Sequence, residues 1–119
     1  MNINIKRVYE SPDKKDGTRI LVDRLWPRGL TKEKAKVDLW LKDIAPSAKL
    51  RKWFGHDPEK RKEFKKRYRA ELNENAASVS QLKEQIKKGT VTLVYGAKDE
   101  EHNDAFFLKD YLINDKPAN

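Results

Sequence analysis

Val91-Thr92-Leu93-Val94-Tyr95 is an unbroken run of apolar and β-branched residues, preceded by Gly89-Thr90 and followed by Gly96. Continuity over five residues, where a half-exposed strand would alternate, predicts a strand covered on both faces. Ile20-Leu21-Val22 has the same character over a shorter length and predicts a second central strand. Residues 2–9 do alternate, with Ile3 and Ile5 opposite Asn4 and Lys6, which predicts a half-exposed strand at or near a sheet edge. Residues 11–17, with Pro12, Asp13 and Asp16-Gly17, read as a surface loop between the first two strands.

Most of the intervening chain has helical spacing. Thr31 is an N-cap candidate for residues 32–36, and a short extended piece is expected around 37–41. Pro46 or Ser47 opens a helix through Phe54, stopped by Gly55, and Asp57-Pro58 opens the next. In that helix, from Pro58 to about Asn75, Phe64, Tyr68 and Leu72 form a narrow apolar stripe. Val79, Leu82 and Ile86 mark another helix ending at Gly89. Ala105, Leu108 and Leu112, with Phe106, Phe107 and Tyr111, predict a broadly buried last helix. The expected fold is α/β: a small mixed sheet of three to five strands with helices packed against it, a single compact domain over 1–119 with 115–119 as a frayed tail.

The 119 residues suffice for one modest core and no second domain. Twenty-seven Lys and Arg against nineteen Asp and Glu leave a net charge of +8, which favours anionic partners. The absence of cysteine excludes disulfide and thiolate chemistry, and no apolar run is long enough for a membrane span or a secretion signal. A cytoplasmic location without membrane partners is expected.

The segments Ile5-Lys6-Arg7-Val8-Tyr9, Leu21-Val22-Asp23-Arg24-Leu25-Trp26-Pro27-Arg28-Gly29, Leu39-Trp40-Leu41-Lys42-Asp43-Ile44-Ala45-Pro46-Ser47, Arg51-Lys52-Trp53-Phe54-Gly55-His56-Asp57-Pro58 and Asp99-Glu100-Glu101-His102-Asn103 together resemble the YeaO-like branch of a bacterial domain-of-unknown-function family, number 488. The resemblance spans nearly the whole chain and implies an α/β fold with no established activity. It implies, too, that other branches carry a cysteine with His-Arg after the strand equivalent to residues 91–95. Here Ala105 and Phe106 follow Asn103-Asp104, so a thiol-dependent activity does not transfer.

Ligands of open α/β sheets bind beyond the carboxyl ends of the strands. If the strands at 20–22 and 91–95 run parallel, the loops 23–29 and 96–103 share that edge. Arg24 and Arg28 would then clamp a phosphate or carboxylate, Trp26 would offer an aromatic face, and His102 or His56 would serve as acid/base. Tyr95 and Asn103 would donate hydrogen bonds, and Asp99 would complete the ligand-binding set. Plainer roles compete: Asp99 as N-cap with Glu100 and Glu101 in a first helical turn, Arg24 paired with a carboxylate, Trp26-Pro27 as a lid on the core, and His56 as a surplus side chain at a helix corner.

His56, His102, Asp57 and Asp99 lack a diagnostic metal spacing, and no dinucleotide, Walker or nucleophile-elbow motif occurs, so neither metal nor cofactor is expected. The leading expectation is an anionic small-molecule site at the strand edge, with acid/base-assisted hydrolysis or transfer as its chemistry if any. Nucleic-acid binding through Lys62, Lys65, Lys66 and Arg69 of the basic 58–75 helix is one alternative, and a protein-interaction or structural role the other.

Overall fold

The computed structural model describes residues 2–55, 57–97 and 103–114. Four strands, β1 (Ile3–Arg7), β2 (Thr18–Leu21), β3 (Leu39–Trp40) and β4 (Val91–Tyr95), form one sheet in the order β1-β4-β2-β3. All three ladders are parallel, with Ile5 and Ile20 on either side of Leu93 and Leu39 beside Ile20. Within the expected α/β fold the pairing is parallel throughout the described strands, because each return crosses a loop or helices and no tight hairpin occurs. As the alternation of residues 2–9 predicts, β1 lies at an edge; the two continuous apolar runs are central, and the short extended piece is β3.

The helices are α1 (Lys32–Ala35), α2 (Ala48–Phe54), α3 (Arg61–Glu74), α4 (Ala76–Lys88) and α5 (Asp104–Asn114). Their ends follow the local chemistry. Thr31 Oγ1 caps α1, Ser47 Oγ caps α2, and Gly55 takes the left-handed conformation, φ 53°, that ends α2. Asp57-Pro58 starts a 3-10 turn leading into α3.

Helices α2 to α5 cover one face of the sheet, burying Ile20, Val22, Leu93 and Tyr95 against Phe64, Tyr68, Leu72, Leu82 and Leu108. The opposite face is thinner: Val8, Leu21, Val94 and Ala35 form a small cluster roofed by Trp26, Leu30 and Val37. Helix α5 is less buried than its sequence suggests, since Phe106 is 44% exposed on its outer side. No helix among the described residues is long and apolar enough to cross a membrane.

Residues 11–17 are not wholly a surface loop, because Asp16 is buried beneath the thin face. Its carboxylate takes Arg19 Nη1 at 2.7 Å and Lys6 Nζ at 3.3 Å, while Thr92 Oγ1 donates to its carbonyl at 2.7 Å. The buried Arg19 donates Nε and Nη2 to the Ala35 carbonyl, which ties β2 to α1. Gly17 follows with φ 64°, where a Cβ would stand 2.2 Å from the Thr90 carbonyl oxygen, so only glycine fits. Burial alone would raise the Asp16 carboxyl, but the Asp13 N–H, Arg19 and Lys6 outweigh it and hold the carboxyl below its ordinary 3.8.

Asp16→Asn removes half of a buried ion pair and strands Arg19. It should lower unfolding free energy by about 3 kcal/mol in urea denaturation near pH 7. The contribution of Asp16 is present above its unfolded value of 3.8 and is lost as pH falls through its lower folded value, so mutant and wild type should converge in strong acid.

Candidate functional site

Parallel pairing of β2 and β4 brings the segments after both strands to one edge. There Gly96 N–H donates to Asp23 Oδ2 at 2.7 Å, so the two loops meet through a direct hydrogen bond. The Asp23 carbonyl in turn accepts from the Trp40 indole at 2.7 Å. Trp40 meets Trp26 edge to face at 5.5 Å, and the Trp26 indole donates to the Leu30 carbonyl at 2.7 Å. The loop after β2 is thus fixed by its aromatic residues.

Helix α2 enters the same edge because its cap is anchored from α3. Glu71 accepts from Ser47 N at 2.9 Å and from Ser47 Oγ at 2.5 Å, and Ser47 Oγ accepts from Leu50 N. One turn beyond the cap stands Arg51. Phe54 stacks on Phe64 at 4.3 Å and Phe64 packs on Phe107 at 5.3 Å, giving an apolar back wall. Asn103 Oδ1 caps α5 by accepting from Phe106 N at 2.8 Å, which puts Asp104 at the first helical position.

These segments enclose a cavity of about 380 Å³, whose polar lining includes Asp23, Arg28, Arg51, Asn103 and Asp104, with Trp26, Phe54 and Phe107 among its apolar walls. The guanidinium groups of Arg28 and Arg51 make no hydrogen bond or ion pair to any described residue. No described donor hydrogen-bonds the Asp104 carboxylate either. Burial, then the nearby charge of Asp23, pushes the Asp104 carboxyl up to about 6, against the opposing pull of Arg51. Asp23 is raised by burial in spite of the Gly96 N–H and Arg51. Tyr68 is driven well above its ordinary 10.0 by burial and then by Asp104, and its hydroxyl donates to the Ile44 carbonyl at 2.7 Å. Among the described residues no group of His, Cys, Asp and Glu is placed to hold a metal ion.

Of the residues singled out in the sequence, Trp26, Arg28 and Asn103 line this cavity. Arg24 does not: its guanidinium is directed at the Pro46 and Ala45 carbonyls, 3.3 to 3.4 Å away, and links the loop after β2 to the approach to α2. Tyr95 is buried and borders a separate hollow with Phe106 and Lys109, between β1 and α5. Asp99, His102 and His56 lie outside the described residues, and the capping role read for Asp99 is filled at α5 by Asn103. Arg51 and Asp104 were not anticipated. Their signals are weak ones: an arginine off the apolar face of α2, and an acid directly after a helix cap.

Lys62, Lys65, Lys66 and Arg69, at helical spacing i, i+3, i+4 and i+7, line a cleft of about 380 Å³ between α3 and α5. Lys65 reaches Asp110 at 3.8 Å, whereas Lys62 and Lys66 have no partner among the described residues. On another side Arg67 lies 4.0 Å over the Trp53 ring, with Lys60 at 5.1 Å.

Asp104→Asn should stabilise the fold at pH 7.5 by about 2 kcal/mol and have little effect at pH 4. A carboxyl titrating at about 6 in the folded chain and at 3.8 when unfolded favours folding fully only below 3.8, and that contribution disappears as pH rises through 6. Chemical denaturation of both proteins at the two pH values measures the difference.

Comparison with known proteins places the chain among relatives without an assigned function. It is 44% identical to the uncharacterized protein YeaO of Escherichia coli (strain K12), over 94% of this chain and 97% of that one. To the uncharacterized protein Rv3073c of Mycobacterium tuberculosis (strain ATCC 25618 / H37Rv) it is 40% identical, over 92% of each chain. No solved structure matches it significantly. A family model described as the inactive DUF488-N3 subclade matches residues 2–118. The chain therefore belongs to the DUF488 family, in its inactive N3 subclade.

Proposed function

We propose that this protein binds a small anionic molecule in the cavity at the carboxyl edge of the sheet. The observation that carries the reading is the pair of guanidinium groups, Arg28 and Arg51, that line the cavity without a hydrogen bond or ion pair to any described residue. Two such groups match a phosphate or carboxylate in charge and in donor geometry. The aromatic and proline walls from Trp26, Pro27, Phe54 and Phe107 suit an apolar or ring-bearing body. The family description, inactive, favours recognition over turnover, and acid/base catalysis through the histidines is secondary to binding in this reading.

Phenyl phosphate and 3-phenylpropionate serve as probes in a heteronuclear NMR titration followed at the Gly96 amide and the Trp26 indole. Saturable shifts that persist at moderate salt are expected. Arg51→Ala and Arg28→Ala should each weaken binding about tenfold or more, as the loss of a charge-assisted contact does. Arg24→Ala should lower the melting temperature while leaving affinity within twofold. Affinity unchanged in both cavity arginine variants would overturn the reading.

A second reading is favoured by the alignment of Lys62, Lys65, Lys66 and Arg69 along the α3–α5 cleft, which suits the phosphate backbone of a single-stranded nucleic acid. It predicts oligonucleotide affinity that falls with salt with a log–log slope of about −3. Lys62→Glu with Lys66→Glu should abolish that affinity without affecting phenyl phosphate. Equal oligonucleotide binding by the double variant would dismiss the cleft.

A further inference from the structure

Beside the guanidinium groups of Arg28 and Arg51, which make no hydrogen bond or ion pair to any described residue, the strand-edge cavity holds two carboxylates that are not equivalent. Asp23 is engaged: one oxygen takes the Gly96 amide at 2.7 Å as part of the loop junction. Asp104 borders the same space at the start of α5 with no hydrogen bond from any described residue. Asp104 is half-buried, and a carboxylate partly withdrawn from water without donors carries a desolvation cost that a ligand's donors would offset. A purely anionic ligand would satisfy Arg28 and Arg51 while meeting repulsion from Asp104.

We infer that the ligand of this cavity is zwitterionic, an amino-acid-like molecule whose anionic group lies on Arg28 and Arg51 and whose ammonium or N–H group lies on the Asp104 carboxylate. The inference rests on the proposed strand-edge site and names its ligand class. Arg51, Asp23 and Asp104 line one cavity of about 380 Å³, so one small molecule can bridge cation and acid. The apolar walls of Trp26, Phe54 and Phe107 leave room for an uncharged side chain between or beside the two ends. Discrimination follows from the arrangement. A ligand lacking the amine leaves Asp104 unpaired, and one lacking the anion leaves both arginines unpaired.

The groups facing Asp104 are Asp23 from the end of β2, Arg51 from α2 and Tyr68 from α3, the last held neutral with its hydroxyl on the Ile44 carbonyl. A neutral Asp104 has lost its attraction for an ammonium but gains an O–H donor for an anion. The two ligand classes therefore respond to acid with opposite signs: zwitterion affinity falls as Asp104 is protonated, and simple-anion affinity rises.

The test uses three molecules of one shape: L-phenylalanine, 3-phenylpropionate without the amine, and phenethylamine without the carboxylate. With the full chain at pH 7.5, calorimetric or NMR titration should give phenylalanine at least tenfold tighter than either analogue. Asp104→Asn, a variant expected to be more stable than the wild type at this pH, should erase the advantage over 3-phenylpropionate without weakening 3-phenylpropionate itself. Between pH 7.5 and 5 the affinity for phenylalanine should fall and that for 3-phenylpropionate rise. Phenylalanine no tighter than 3-phenylpropionate in the wild-type chain, or an advantage that survives Asp104→Asn, would overturn the inference. The anion site would still stand if 3-phenylpropionate binds and Arg51→Ala weakens it; loss of that dependence would remove the site along with its ligand class.

Discussion

The hydrogen bond from the Gly96 amide to Asp23 Oδ2 is the contact on which the cavity at the sheet edge depends. It exists because β2 and β4 are parallel neighbours, so that the residues immediately following each strand emerge side by side. A Cβ at Gly96 would stand 3.4 Å from the same carboxylate oxygen and 3.9 Å from the Tyr9 ring, both ordinary contact distances, so the junction rests on the hydrogen bond and not on the glycine. From Asp23 the constraint spreads outward. Its carbonyl holds the Trp40 indole, Trp40 supports Trp26, and Trp26 closes its own loop on Leu30. The Tyr9 hydroxyl donates to the Arg28 carbonyl at 2.9 Å, so the turn after β1 also restrains the loop that carries a cavity arginine. A rigid loop lets a shallow edge retain fixed polar groups.

The chain treats two of its aspartates in opposite ways. Asp16, beneath the thin face, receives Arg19, Lys6 and the Asp13 amide, and its carboxyl is held low in spite of burial. Asp104 receives no described donor, and burial beside Asp23 holds its carboxyl high. The residue type is the same, and the donors around Asp16 outweigh its desolvation whereas Asp104 has none among the described residues to offset its own. Asp16 therefore belongs to the framework, joining β1, β2 and, through Arg19, α1. Asp104 weakens the framework at neutral pH, as expected of a group kept for something other than stability.

Much of this architecture was legible in the sequence because it follows from local patterns. The unbroken Val91 to Tyr95 run marks a doubly covered strand, alternation marks the edge strand, and Thr31, Ser47, Gly55 and Asp57-Pro58 punctuate the helices as their side chains and backbone dictate. Trp26 and Arg28 were identified because the loop after a central strand is a general place for ligands. Arg51 and Asp104 were not, since their proximity joins positions about fifty residues apart and depends on where α2 and α5 dock on the sheet. Arg24 looked like an anion clamp, and only the path of residues 45–46 shows which carbonyls take its donors. The buried role of Asp16 was hidden for the same reason: its partners Lys6 and Thr92 come from two other strands. The sorting of α3 cations likewise needed the position of α5, which turns one helical face into a cleft wall.

The central feature is a cavity at the edge of a parallel sheet in which Asp104, Arg28 and Arg51 make no side-chain hydrogen bond to any described residue. Its most direct measurement is the pH titration of the aspartate side-chain carboxyl carbons by NMR. The account predicts Asp104 with a midpoint near 6, displaced upward again in Arg51→Ala, while Asp16 in the same spectra titrates below 3.8. An Asp104 midpoint at the ordinary 3.8, unmoved by loss of Arg51, would mean that the carboxyl is solvated and independent of the arginine, and would contradict the account.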